Sequence, residues 1–126
     1  MAPKILIVDD EGLVIRSLDR LLKKDGYQII AVATADEAVS EIKKSNFDLI
    51  ITDIRMPGKN GVQMIQEVRS LLVAENRKKI PEIVITGYAD EETSNEMEKL
   101  GVAEYIYKPF DIRQFLELVR KHVKMS

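Results

Sequence analysis

Two hydrophobic patterns alternate along the chain: short apolar runs rich in β-branched residues, and longer segments with apolar residues three or four positions apart. The first pattern is typical of buried strands and the second of amphipathic helices. Strands are expected near residues 4–8, 28–33, 48–52, 82–86 and 103–107. Helices are expected near residues 12–25, 35–45, 61–74, 90–100 and 111–124.

Several of the expected helix ends carry specific signals. Thr34 with Glu37, and Asp111 with Gln114, have the spacing of a capping box. In that motif a side chain at the start of the helix accepts a hydrogen bond from the backbone three residues further on. Glycines, which tolerate the left-handed backbone needed where a helix stops, follow two of the helices, at Gly26 and Gly101.

Alternating strands and helices predict an α/β fold, with a parallel sheet covered by helices on both faces. With right-handed crossovers, we expect the flavodoxin-like doubly wound (βα)5 sandwich with strand order 2-1-3-4-5. Residues 1–126 are expected to form a single domain, because the sequence shows no linker, repeat or low-complexity run. A chain of this length buries roughly two-thirds of its unfolded surface.

Composition narrows the classes of function. The net charge of −2, from 19 basic and 21 acidic residues, argues against direct nucleic-acid binding by this domain. The absence of cysteine excludes disulfides and thiol chemistry. No apolar stretch approaches the roughly 18 residues of a membrane span, and a strand begins too early for a signal peptide. A cytoplasmic location without membrane contact is therefore expected.

Three carboxylates mark the expected functional site. Asp9 and Asp10 follow the first predicted strand, and Asp53 follows the third. Ligands of open parallel sheets bind at the carboxyl ends of the strands, so these acids should meet there. Two carboxylates about 4 Å apart repel by roughly 4 kcal/mol at an effective dielectric of 20. Such a trio is tolerable only with a proton or a hard cation such as Mg²⁺ among the oxygens.

Two further residues at strand ends suit an anionic ligand. Thr86 ends the fourth predicted strand, and Lys108 follows the fifth. Together with the acids they provide metal ligands, a hydroxyl donor and an ammonium, the groups that hold a phosphoryl group, whose transfer depends mostly on positioning and charge neutralisation. The only histidine, His122, lies in the last predicted helix and is no evident general base.

The chain resembles the receiver domains of two-component response regulators, of the chemotaxis and nitrogen-regulation type. The resemblance covers essentially the whole chain, and its motifs at successive strand ends are weak singly but specific together. They are Asp9-Asp10, Asp53 followed by Met56-Pro57-Gly58, Thr86-Gly87 and Lys108-Pro109.

The resemblance implies a phosphorylation-dependent switch of a two-component system or phosphorelay. A sensor histidine kinase or a histidine phosphotransfer protein would be the donor in a Mg²⁺-dependent phosphoryl transfer. A downstream output domain or protein would respond to the phosphorylated form. The domain would catalyse only its own phosphorylation and dephosphorylation, with no external metabolite turned over.

The resemblance also implies a role for each site residue. Asp53 matches the phosphoacceptor, and Asp9 and Asp10 match the acidic pair that holds Mg²⁺. The Asp53 carboxylate and the backbone carbonyl of Arg55 would complete the metal ligands. Lys108 matches the lysine that pairs with the phosphoryl oxygens.

The same comparison implies a switch pair, Thr86 and Tyr105. In the family the hydroxyl moves onto the phosphoryl group and the aromatic ring then turns inward. The change would repack the face formed by the fourth helix, fifth strand and fifth helix, which is also the candidate homodimer surface. Pro109 matches a proline usually preceded by a cis peptide bond, which would shape the loop that presents Lys108.

Apolar positions predict which helix faces are buried. The fourth helix has five acids between Asp90 and Lys99 and a thin apolar stripe of Met97 and Leu100, so weak anchoring is expected. The expected core stripes of the first and fifth helices are Val14, Leu18, Leu21 and Leu22, and Ile112, Phe115, Leu116 and Val119. The candidate contact residues outside these stripes are Leu118 for a partner or self-association, and Leu13 and Ile15 for the phosphodonor.

Two other classes of protein share part of this pattern. An aspartyl-phosphate phosphatase-type hydrolase also uses an aspartate at a strand end with Mg²⁺, but such enzymes have a second acid two residues later, where this chain has Arg55. A flavin-binding module of similar architecture needs a glycine- and hydroxyl-rich phosphate loop after the first strand. Asp9-Asp10-Glu11 would repel a phosphate at that position.

Arg55 and Tyr88 match variable positions beside the phosphoryl site of the family, and they lead to the hypothesis of slow self-dephosphorylation. They lie two residues after Asp53 and Thr86, and neither side chain is an acid or amide suited to orienting an attacking water. A long cation and a bulky ring would also crowd the in-line approach; the alternative is that both side chains simply point into solvent. Replacing both (Arg55→Asn with Tyr88→Glu) is expected to shorten the lifetime of the phosphorylated form, and an unchanged lifetime would refute the hypothesis.

Overall fold

The apolar runs form one parallel sheet in the computed structural model, which describes residues 2–56, 58–87 and 91–123 apart from the side chains of Glu91 and Thr93. The strands are β1 (Lys4–Val8), β2 (Gln28–Val32), β3 (Leu49–Thr52), β4 (Glu82–Thr86) and β5 (Glu104–Tyr107). The helices are α1 (Gly12–Lys24), α2 (Ala35–Lys44), α3 (Gly61–Ala74), α4 (Glu91–Leu100) and α5 (Ile112–His122). The strand order β2-β1-β3-β4-β5 confirms the predicted topology.

The helix ends largely follow the predicted signals. The Glu37 N–H donates to Thr34 Oγ1 over 3.1 Å, and the Gln114 N–H donates to Asp111 Oδ1 over 3.0 Å. Asp111 is therefore the N-cap of α5 and not its first helical residue. The predicted positive φ angles are present, 98° at Gly26 and 67° at Gly101. One reciprocal capping box was not predicted, that of α3, formed by Asn60 and Gln63.

The core lies in two layers, one on each face of the sheet. Successive strand residues point to opposite faces, so in β1 Ile5 and Ile7 join one layer and Leu6 and Val8 join the other. Helices α1 and α5 cover the first layer, while α2, α3 and α4 cover the second. The main helix residues of the first layer are Leu18, Leu22, Phe115 and Val119.

The predicted apolar face of α5 is partly wrong. Ile112 was expected to be buried but is 57% exposed, whereas Leu118 was expected off the stripe and is half-buried against the core layer. Phe115 and Val119 define the centre of the buried face, and Leu118 lies on its flank. Ile112 lies in the first turn, where it lines a surface groove opposite α1.

Few of the described side chains of α4 reach the core, as predicted. Met97 is buried and Leu100 is half-buried against the second core layer. On α1 the expected stripe is confirmed, since Leu18 and Leu22 are buried while Leu13 is 74% exposed. No helix in the described part of the chain is long and apolar enough to cross a membrane.

A buried ion pair ties the sheet to α3 and to the end of α4. Glu82, the first residue of β4, is 1% exposed, and Arg69 of α3 donates to its two carboxylate oxygens over 2.9 and 2.8 Å. The third donor of the guanidinium goes to the backbone carbonyl of Leu100. Arg69 therefore neutralises the charge of a buried acid and donates a hydrogen bond to one of the backbone carbonyls that have no partner within the helix at its end.

Replacing Arg69 with methionine is expected to lower the free energy of unfolding by about 3–5 kcal/mol, because the Glu82 carboxylate would stay buried without its partner. The double variant Arg69→Met with Glu82→Leu should recover most of that loss. Urea unfolding measures both. Arg120→Met is the matched control: its bidentate pair with Asp25 is 55% exposed on the arginine side and should cost under about 1 kcal/mol. A double variant as unstable as Arg69→Met alone would contradict this account.

Candidate functional site

The register of the central strands brings two of the predicted acids together. Val8 of β1 is paired with Thr52 of β3, so the residues that follow, Asp9 and Asp53, leave the sheet side by side. Their backbones continue the ladder, because the Asp53 N–H donates to the Val8 carbonyl over 2.9 Å and the Asp9 N–H donates to the Val32 carbonyl over 3.1 Å. Both acids are thus fixed by the sheet itself.

Asp9, Asp10 and Asp53 form the carboxylate cluster that the sequence predicted. One oxygen from each lies within 4.8 Å of the others. Asp9 and Asp53 are buried, 3% and 4% exposed, while Asp10 is exposed. Carboxylate oxygens are the ligands that Mg²⁺ prefers, so the donor set fits a hard divalent cation.

One oxygen of each buried acid is held by a backbone donor. Asp9 Oδ1 accepts the N–H of Glu11 over 2.9 Å, and Asp53 Oδ1 accepts the N–H of Ile54 over 2.6 Å. These bonds set the direction of each carboxylate. The other oxygen, Oδ2 in both residues, is turned to the interior of the cluster, where Lys108 reaches it.

Lys108 directly follows β5, the edge strand of the sheet. Its backbone N–H donates to the carbonyl of Thr86 over 2.8 Å, and the peptide bond between Lys108 and Pro109 is cis, as the family resemblance implied. The Lys108 side chain extends towards the ends of β1 and β3, where the ammonium meets the acids. Its Nζ lies 3.0 Å from Asp53 Oδ2, 3.4 Å from Asp9 Oδ2 and 3.0 Å from Glu11 Oε1.

The charged groups at this edge of the sheet shift the pKa values of Asp9 and Lys108. Burial raises the pKa of the Asp9 carboxyl, and repulsion by Asp53 acts in the same direction. Burial by itself lowers the pKa of Lys108, but hydrogen bonds to Glu11 and Asp53 outweigh it and the pKa is raised. The lysine therefore stays an ammonium, and it offsets part of the like-charge repulsion in the carboxylate cluster.

The predicted switch residues lie on β4 and β5, the two strands that follow β3 in the sheet. Thr86 is fully buried at the end of β4, and Tyr105 is half-buried on β5. The Tyr105 hydroxyl lies 3.4 Å from Ser94 Oγ of α4, and Tyr107, which pairs with Thr86 in the sheet, has its hydroxyl 2.8 Å from the same atom. Ser94 thus links α4 to β5 and was not among the predicted residues.

A glycine allows α3 to begin directly beside Asp53. The N–H of Gly61 donates to the carbonyl of Ile54 over 2.7 Å. A β-carbon at Gly61 would overlap the backbone carbonyl of Asp53 and lie 3.0 Å from the Ile54 α-carbon. The loop that carries Asp53 can pack this closely only against a residue without a side chain.

The remaining predicted residues differ in their exposure. Arg55 is exposed, and Tyr88 and Pro57 lie outside the described residues. Leu13 is exposed near Lys108, but Ile15 is half-buried against the core, so Leu13 is the better candidate for a partner contact. Glu11, which was not predicted as a site residue, contacts Lys108 directly.

Comparisons with known proteins point to one family. Residues 5–120 match the response regulator receiver domain family. Sporulation initiation phosphotransferase F of Bacillus subtilis (strain 168) is 30% identical over 126 residues, covering 100% of this chain and 98% of that protein. Response regulator protein FleR of Pseudomonas aeruginosa is 31% identical over 122 residues, which are 97% of this chain but 25% of that protein.

The same fold is found in a solved structure, the CheY-like response regulator receiver domain protein from Methanospirillum hungatei JF-1. It superimposes with a TM-score of 0.87 at 30% identity, covering 96% of this chain and 93% of that one. The chain thus spans a quarter of one curated relative and nearly the whole of another.

Gly61→Ala is expected to destabilise the protein by about 1–3 kcal/mol, because the new methyl group forces the Asp53 loop or the start of α3 to shift. Gly12→Ala is the matched control, since a β-carbon there meets no atom within 4 Å. It should be neutral or gain up to about 1 kcal/mol. Urea unfolding of both variants measures the difference, and equal stabilities would contradict the close packing inferred at Gly61.

Proposed function

Because the chain belongs to the response regulator receiver domain family, we propose that it is a signalling switch that accepts a phosphoryl group on Asp53. The observation that supports this most is the position of Lys108, whose Nζ lies 3.0 Å from Asp53 Oδ2 and 3.4 Å from Asp9 Oδ2. An ammonium at that place can pair with a phosphoryl oxygen added to Asp53. The roles below follow from this assignment.

Asp53 is the nucleophile. The residue is 4% exposed, and the orientation of its carboxylate is fixed by the Ile54 N–H. One carboxylate oxygen attacks phosphorus, the bond from phosphorus to the donor's nitrogen or oxygen breaks, and its electron pair leaves with the donor. The product is an acyl phosphate on Asp53. Little covalent chemistry is required of the protein beyond positioning and charge neutralisation.

Asp9, Asp10 and Asp53 are the residues that would hold Mg²⁺, with the backbone carbonyl of Arg55 as a further ligand. Their oxygens lie within 4.8 Å of one another, and this all-oxygen set suits a hard cation. When bound, the cation supplies charge neutralisation for the transferring phosphoryl group. Lys108 supplies a further positive charge next to Asp53 and Asp9.

The donor is a sensor histidine kinase or a histidine phosphotransfer protein, which docks at the groove between α1 and the loop before α5. Exposed Leu13 and Ile112 line this groove together with Lys108 and Phe110. A phosphohistidine carried there arrives next to the carboxylate cluster. Arg16, Arg20 and Lys24 also line the groove, and this positive charge suits a donor with acidic residues around its histidine.

The output of the switch is the face formed by α4, β5 and α5. The Thr86 hydroxyl moves to the phosphoryl group and the ring of Tyr105 fills the space that is left. Helix α4 responds because Met97 is its one fully buried large apolar residue among those described. Its links to β5 through Ser94 are single hydrogen bonds. A downstream domain, a partner protein or a second copy of the chain would bind the altered face.

An aspartyl-phosphate phosphatase is not favoured by these observations. Such an enzyme needs a general acid two residues after the nucleophile, and that residue here is Arg55. The receiver assignment also limits the domain to its own phosphorylation and dephosphorylation. The slow dephosphorylation predicted from Arg55 and Tyr88 stays a prediction.

The proposal is tested by the intact mass of the protein after incubation with Mg²⁺ and a small acyl phosphate. One phosphoryl group is expected on the wild type, stable in acid but labile to alkali and hydroxylamine, and none on Asp53→Asn. Asp48→Asn is the matched control, because Asp48 is an exposed aspartate just before β3 and its replacement should leave the adduct intact.

Removal of Mg²⁺ with a chelator should abolish the adduct on the wild type. An adduct that persists on Asp53→Asn would place the phosphoryl group on another residue and refute the assignment. Absence of any adduct, together with no steady release of phosphate, would refute phosphoacceptor function altogether.

A further inference from the structure

Glu11 occupies the N-cap position of α1 without capping the helix. Ser, Thr, Asp and Asn are favoured there because their short side chains accept a backbone N–H of the first turn. The side chain of Glu11 makes no such hydrogen bond. Its carboxylate instead accepts Lys108 Nζ over 3.0 Å. Glu11 is therefore directed at the site lysine and not at its own helix.

Three carboxylates share the ammonium of Lys108, which has three N–H donors. Asp53 and Asp9 are the interior partners, with side chains 5% and 4% exposed. Glu11 is the outer partner, with a side chain 59% exposed. A phosphoryl oxygen on Asp53 can pair with Lys108 only if one of these contacts is given up. The contact with Glu11 is the easiest to break, because solvent hydrates the carboxylate that is released.

Resting on the function proposed above, we propose that Glu11 is a positioning residue that restrains Lys108 at the mouth of the site and slows phosphorylation of Asp53. The ion pair exists before the transfer and is lost as Lys108 turns to the phosphoryl oxygens. An interaction that stabilises only the ground state raises the barrier to reaction. The negative charge of Glu11 also repels an anionic phosphodonor that enters from solvent.

Glu11→Gln removes the charge and keeps the size of the side chain. At saturating Mg²⁺ it should increase the rate of phosphorylation by acetyl phosphate roughly two- to fivefold, the size of effect that an exposed ion pair supports. The increase should shrink at about 1 M salt, where charges are screened over about 3 Å. Glu37→Gln, at an exposed acid in the first turn of α2, is the matched control and should leave the rate unchanged.

The contact itself is tested without phosphorylation, by nitrogen-15 NMR of the lysine ammonium groups, with the Lys108 signal assigned through Lys108→Arg. Glu11→Gln should shift or broaden that signal. The Lys59 signal is the internal reference, because Lys59 pairs with Asp36 at 3.2 Å and Glu67 at 2.7 Å, and it should not change.

The two measurements separate the two proposals. A wild type that accepts no phosphoryl group would refute the function proposed for Asp53, while the NMR experiment would still report whether Glu11 holds Lys108. An unchanged Lys108 signal in Glu11→Gln would overturn the restraint. A phosphorylation rate equal to or below that of the wild type would overturn the slowing effect.

Discussion

The ion pairing of Lys108 with the acids is the interaction on which the site depends. Asp9 and Asp53 are buried next to each other, and their repulsion would favour protonation or local opening unless positive charge lay between them. Lys108 provides that charge from β5, two strands away from β3. The site therefore requires the sheet to hold the ends of β1, β3 and β5 in a fixed register.

The core and the fixed backbone contacts hold that register. Both faces of the central strands are filled by large apolar side chains, so a slip by one residue would reverse which face each side chain meets. The backbone bonds of Asp9 and Asp53 extend the sheet to the acids themselves. Among the described side chains of α4, only Met97 and Leu100 pack against this core, and the end of the helix is held by Arg69. A rigid site beside a weakly anchored helix suits a domain that converts a local charge change into a surface change.

The fold could be predicted from the sequence because its signals are local and agree with one another. Apolar runs, cap residues and glycines marked nearly every element, and the alternation of strands and helices left few topologies. The face of α5 was harder to predict. Ile112 and Leu118 both lie within a broad apolar arc, and their burial depends on where α5 meets the edge of the sheet and α1, which periodicity along one helix does not specify.

Part of the site could also be predicted from the sequence. Asp9, Asp10, Asp53 and Lys108 follow strands directly, so the topology alone predicts that they converge. The contacts of Glu11, Ser94 and Gly61 were not predicted, because each depends on side-chain reach or on the approach of two segments far apart in sequence. The only sequence signal for Glu11 was its position at a helix start, where a glutamate is an unusual cap.

In the proposed function Asp53 receives the phosphoryl group, and Lys108 pairs with the oxygens of that group. A crystal structure of the protein with Mg²⁺ and fluoroberyllate, a mimic of the phosphoryl group, tests this directly. We expect fluoroberyllate on a carboxylate oxygen of Asp53, with Lys108 Nζ within hydrogen-bond distance of a fluorine and the cation among Asp9, Asp10 and Asp53. Fluoroberyllate on another residue, or a Lys108 that stays on the carboxylates alone, would contradict these roles.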